Sequence, residues 1–151
     1  MTTPESRPGV VTAAFWLLIV GAVLLMTGGL LAAAVGFDTL RQAAGPSVSD
    51  QSIRDYLRLY RGAGVLFALA AAALAVFAVR TRNRDPRSRR AAVSLGLAIV
   101  VLVAVAAVFA GTHVLALLSM VPIIVGALLL GRPAAVDWFT KWTDTWAETD
   151  V

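Results

Sequence analysis

His113 is the single histidine of this 151-residue chain, and no cysteine accompanies it. One imidazole can carry a proton or respond to pH, but it cannot supply the several ligands that a metal centre needs. The absence of cysteine excludes disulfides, thiol catalysis and thiolate metal sites. What chemistry remains belongs to charged and aromatic clusters. Arg54, Arg58 and Arg61 line one face of a helical repeat, with Asp50 and Asp55 spaced to pair with Arg54 and Arg58. Such a row can hold a lipid phosphate or the acidic surface of a partner. The plainer alternative is a helix whose arginines snorkel at headgroup level.

Two further clusters stand out. Trp138, Trp142 and Trp146 recur every four residues, on one face of a helix, with Phe139 beside them. Indole rings favour the membrane–water boundary because they are largely apolar but carry an N–H that seeks water. This tail reads as an aromatic belt lying on the membrane, or as a docking helix for a partner protein. The second cluster is the run Arg80-Thr-Arg-Asn-Arg-Asp-Pro-Arg-Ser-Arg-Arg90, with six arginines in eleven residues. It attracts anionic lipid and fixes topology. Although the net charge is +4, this placement between apolar runs argues against nucleic acid.

The elements that must position these groups are set by three long runs free of Asp, Glu, Lys and Arg: 8–37, 62–79 and 91–131. A hydrocarbon core about 30 Å thick needs about 20 apolar residues of helix. The 41-residue third run therefore folds into two crossings. Backbone groups in lipid must bond within their own segment, so the spans are helices. A mean hydropathy of +0.81 agrees. The expected architecture is all-α: one transmembrane domain of four spans (about 10–36, 61–80, 91–111 and 114–131) in an antiparallel bundle with short interfacial helices. An outer loop covers 37–60, a basic loop 81–90 and a tail 132–151. The small residues Ala32-Ala33-Ala34 resemble a cleavage site, but the run before them is too long for a signal peptide, so the first span is expected to be retained.

Orientation follows from basic residues. With the arginine loop cytoplasmic, Arg7, the six loop arginines, Arg132 and Lys141 lie inside, and Arg41, Arg54, Arg58 and Arg61 outside. Both termini are then cytoplasmic and the membrane is the plasma (inner) membrane. A cysteine at Ser47 should label from outside and one at Ser88 should not.

Local signals refine this picture. Ser49 or Asp50 can cap a helix whose Ile53, Tyr56, Leu57 and Tyr60 share one face and which runs into the second span. Pro133 suits a first helical turn after the fourth span, Asp137 and Lys141 are spaced to pair, and Pro122 should kink that span. Small residues mark spans one (Gly21, Gly28) and two (Gly64, Ala68), where helix backbones can approach closely. They form either a contact between these two spans or a homo-oligomer seam.

The spans hold no ionisable group of the kind ion-coupled transport uses. In size and span number the chain resembles the small multidrug-resistance transporters, but it lacks their acidic residue in the first span. It shares size and span number also with lipid-linked sugar translocation proteins, without signature residues. In layout, and in Tyr60-Arg-Gly-Ala-Gly64 leading into the second span, it resembles the alanine- and arginine-rich four-span membrane proteins of actinobacteria. That resemblance implies a multi-pass membrane protein and transfers no functional residue. No catalytic residue, cofactor or metal is expected. Two functions fit: a non-enzymatic accessory or scaffold subunit of a membrane complex, or a homo-oligomeric carrier or binder of a lipid-like or apolar small molecule. The expected partners are the bilayer, a membrane protein and a second copy.

Overall fold

The computed structural model describes residues 9–81, 86–109 and 111–138, and all regular structure among them is helical. The helices are α1 (Gly9–Ala34), α2 (Phe37–Ala43), α3 (Asp50–Thr81), α4 (Pro86–Phe109) and α5 (Val114–Leu130). A further helical segment covers 133–138.

Length sorts these elements. Three helices, α1, α3 and α4, are long and apolar enough to cross a membrane. With 17 residues, α5 is about 26 Å long, at the lower limit for a span. In contrast α3 has 32 residues, or about 48 Å, well beyond the hydrocarbon thickness. Its excess is the charged stretch from Asp50 to Arg61, continuous with the apolar part. Its start is capped: the Ser49 hydroxyl accepts the Ser52 amide at 3.2 Å and meets the Ser52 hydroxyl at 2.9 Å. The proline of Asp85-Pro86 opens α4, so Arg87, Arg89 and Arg90 of the basic loop are helical.

The four long helices form a ring in the order α1, α3, α4, α5, closed by α5 against α1. Glycine sets the spacing. A Cβ on Gly29 would lie 2.6 Å from the Gly64 carbonyl oxygen and 2.9 Å from the Ala68 amide nitrogen, so α1 and α3 touch backbone to backbone. Around the same helix, Gly28 and Gly21 turn to α5. Gly28 faces Ala116, Gly21 faces Ile123, and Gly126 receives Leu18. Residues that rise along α1 thus meet residues that fall along α5, and the two run in opposite directions. The adjacent pair Gly28-Gly29 serves both neighbours because successive helical residues point about 100° apart. Gly96 of α4 packs on Ile123 as well.

The core follows these seams: Leu18, Leu25, Leu74, Ile99, Val103 and Ile123 are almost fully buried. Two buried hydroxyls are satisfied locally, Thr81 by the Ala78 carbonyl and Ser119 by the Ala116 carbonyl, both at 2.6 Å. Outward lie Trp16, Val23, Leu69, Val101, Val121 and Leu128, each more than half exposed. Apolar surface on all sides of a helical bundle is what a lipid solvent permits and water does not. The protein is thus an all-helical bundle suited to embedding in a membrane.

α5 continues through Pro122 without interruption. His113 caps its start, its Nδ1 accepting the Leu115 amide at 3.3 Å. Gly111, at φ 68°, makes the turn that precedes it, in a region where a side chain would be strained.

Candidate functional site

The 37–60 segment is more structured than its sequence suggests. α2 lies across the start of α3 and is held there by Arg41, whose Nη1 donates to the Val48 carbonyl at 2.7 Å and whose Nε lies 3.5 Å from Asp50. Asp50 thus pairs with Arg41, not with Arg54. Between α2 and α3 opens a cavity of about 450 Å³, lined by Leu40, Ala43, Val48, Ser52, Ile53 and Tyr56 among others. Its walls are nearly all apolar, and its volume falls in the range of small-molecule sites.

The three arginines proposed to act together do different things. Arg54 sits 5.7 Å from the centre of the Phe37 ring, a cation–π contact that ties α3 to α2. Arg58 is 82% exposed and lies 3.9 Å from Asp55, a long and weak pair. Arg61 reaches back to the end of α1, where its Nε and Nη2 donate to the Val35 carbonyl at 2.8 and 2.6 Å. That carbonyl follows the last turn of α1, where helical partners run out. Arg61 is therefore a brace between α1 and α3, and Arg58 is the one of the three whose contact stays within α3. Arg61→Gln should lower stability by about 1 kcal/mol, read as a fall in thermal midpoint in detergent, while Arg58→Gln should leave it unchanged. Equal effects would mean that the brace contributes nothing.

Beneath this end lies a second, much smaller void of about 10 Å³, bounded by Gly28, Tyr60, Gly64, Thr112 and His113 among others. The Thr112 hydroxyl oxygen is buried there without a protein hydrogen bond. Tyr56 and Tyr60 stack nearby at 5.8 Å between ring centres. These polar groups gather where three helices end, but they include no carboxylate. Among the described residues no cluster of three or more His, Asp or Glu side chains forms.

At the opposite end the tryptophan expectation changes. Trp138 is only 5% exposed and belongs to the same buried cluster as Val11, Ala78, Ala92 and Ala135. The segment 133–138 folds back onto the bundle, so Trp138 is a packing residue and presents no face to lipid or partner. The sequence spacing of the three indoles gave no sign of this, because a helical stripe looks the same whether it meets lipid or a core. Trp142, Trp146 and Lys141 lie outside the described residues. Nearby, the Arg89 Nη1 donates to the Leu130 carbonyl at 3.0 Å, tying α4 to the end of α5.

The helix-packing residues lie at seams within one chain: Gly21 and Gly28 against α5, Gly64 and Ala68 against α1. Gly29, adjacent to Gly28 in the sequence, makes the tightest α1–α3 contact together with Gly64. The two ends differ in chemistry, with an apolar cavity at one and a basic rim at the other. Comparison with known proteins adds no relative: no family model, curated protein or solved structure matches this chain.

Proposed function

We propose that this chain is a non-enzymatic accessory or scaffold subunit of a membrane complex, built as a four-span antiparallel bundle. The observation that supports it is the α2–α3 head. It lies beyond the apolar part of α3, is braced by Arg41, Arg54 and Arg61, and keeps an apolar cavity and Arg58 on its surface. A rigid, amphipathic head on a bundle without charged groups in its apolar runs suits holding a partner better than moving an ion. Gentle extraction of tagged protein from its own membrane, with copurifying proteins and lipids identified by mass spectrometry, tests the reading. One stoichiometric membrane protein partner is expected. A homo-oligomer without a partner would overturn it.

The second reading, a carrier or binder of a lipid-like molecule, draws on the same cavity, whose size and lining suit an apolar ligand. Its oligomeric form loses support, because the small-residue stripes lie at seams inside the monomer. The resemblance to four-span actinobacterial membrane proteins fits either reading.

In this proposal the arginine loop is cytoplasmic, both termini lie inside the plasma membrane, and the α2–α3 head faces outward. Accessibility labelling tests it, with one change of position. Ser88 is buried, so a cysteine there would be shielded on either side of the membrane. Arg87 is exposed and replaces it. In intact cells an impermeant thiol reagent should modify Ser47→Cys and spare Arg87→Cys until the membrane is opened. The reverse pattern would invert the topology.

A further inference from the structure

Between α4 and α5, at the arginine-rich end, a groove of about 400 Å³ runs along the outside of the bundle. Val93 and Leu97 of α4 form one wall, Ala127 and Leu128 of α5 the other, and Arg132 and Pro133 close its end. We propose that this groove is a binding site for a phospholipid with an anionic headgroup, one acyl chain lying between α4 and α5 and the phosphate held by Arg90 and Arg132.

Helical geometry places the charge. Arg90, Val93 and Leu97 recur at i, i+3 and i+7, so Arg90 stands on the stripe of α4 that walls the groove, one turn nearer the basic end. Arg132 lines the groove directly, just past the last turn of α5. Both side chains are exposed, and neither pairs with a carboxylate among the described residues. Arg89, one position before Arg90 on α4, is anchored to the Leu130 carbonyl and holds α4 and α5 together at the mouth. Asp137 is the one acidic residue among the described residues of this end. Apolar walls continuing into two cations match the layout of an acidic phospholipid, apolar below and anionic at the boundary. The head cavity, by contrast, has no arginine in its lining. A guanidinium can also grip phosphate oxygens in pairs.

The inference rests on the membrane-span reading, whose failure would appear earlier, as absence of the chain from the membrane fraction. The test uses the full-length protein in detergent, with native mass spectrometry against phosphatidylglycerol and phosphatidylcholine of identical acyl chains. Retention of phosphatidylglycerol should exceed that of phosphatidylcholine by about 25-fold, about fivefold for each arginine. R90Q with R132Q should remove the preference, whereas Arg58→Gln at the opposite end should keep it. Leu128→Trp, at a position 67% exposed, should fill the groove and lower retention with both arginines intact. Glycerol 3-phosphate, which has the phosphate without the chains, should not compete. A photoreactive residue at Leu97 should capture lipid. Equal retention of the two lipids, indifference to R90Q with R132Q, or capture of residues 139–151 or of a second copy would each overturn the proposal.

Discussion

Gly64→Ala is expected to destabilise the bundle by about 2–3 kcal/mol, and Gly64→Leu to prevent assembly. The added Cβ would lie 2.5 Å from the Gly29 carbonyl oxygen and 2.8 Å from the Ala33 amide nitrogen. Both are backbone atoms, so no side chain can swing aside and the two helices must separate. Separation forfeits dispersion along the whole seam, and in lipid no hydrophobic drive compensates. Gly62 supplies the control. It lies on the same helix, and a Cβ there would meet nothing within 4 Å. Gly62→Ala should be neutral or slightly stabilising through helix propensity alone, by at most about 1 kcal/mol. Thermal unfolding in detergent, compared across these variants, decides the matter. A Gly64→Ala protein as stable as Gly62→Ala would mean that α1 and α3 do not meet at this point.

Trp138→Ala should cost about 3 kcal/mol, because it empties the largest side chain from a site that is 5% exposed. Trp16→Ala removes the same atoms from a position 60% exposed and should cost well under 1 kcal/mol. If the two variants unfold at the same temperature, Trp138 is not in the core. The comparison also changes how a docking role for the tail is tested. Loss of a partner in a Trp138 variant would mix misfolding with lost contact, whereas Trp142→Ala with Trp146→Ala avoids the buried site.

The long helices are legible in the sequence because lipid imposes one simple requirement, a run of apolar residues about 20 long. The runs 8–37, 62–79 and 91–131 locate α1, the apolar part of α3, and the α4–α5 pair. The continuity of α3 from Asp50 was also readable, from Ser49 as a cap and the shared face of Ile53 and Leu57, both of which are buried. α2 was not. Seven residues make an unstable helix alone, Gly36 offers no side-chain cap, and the packing on α3 that supports it is a tertiary fact. Asp38 in its first turn and Arg41 in its last were the faint signal. With so faint a sequence signal for α2, nothing in the sequence points to the head cavity. The glycine stripes announced close approach but not between whom, since a small residue carries no label for its partner. Gly21 and Gly28 turn to α5 rather than α3 for that reason. Arg54, Arg58 and Arg61 share a face in sequence, yet α2 and the end of α1 draw two of them into separate contacts.

The ring closes where the first long helix meets the last, and this has a consequence for biosynthesis. α1 and α3 can pair as soon as residue 81 has left the ribosome, through glycines already present on both. The face of α1 that holds Leu18, Gly21 and Gly28 must then wait in lipid until α5, the shortest of the four and the last made, arrives to cover it. A nascent chain arrested at Phe109 would therefore expose an unfilled seam on α1, open to insertion chaperones or to the wrong neighbour until α5 is made.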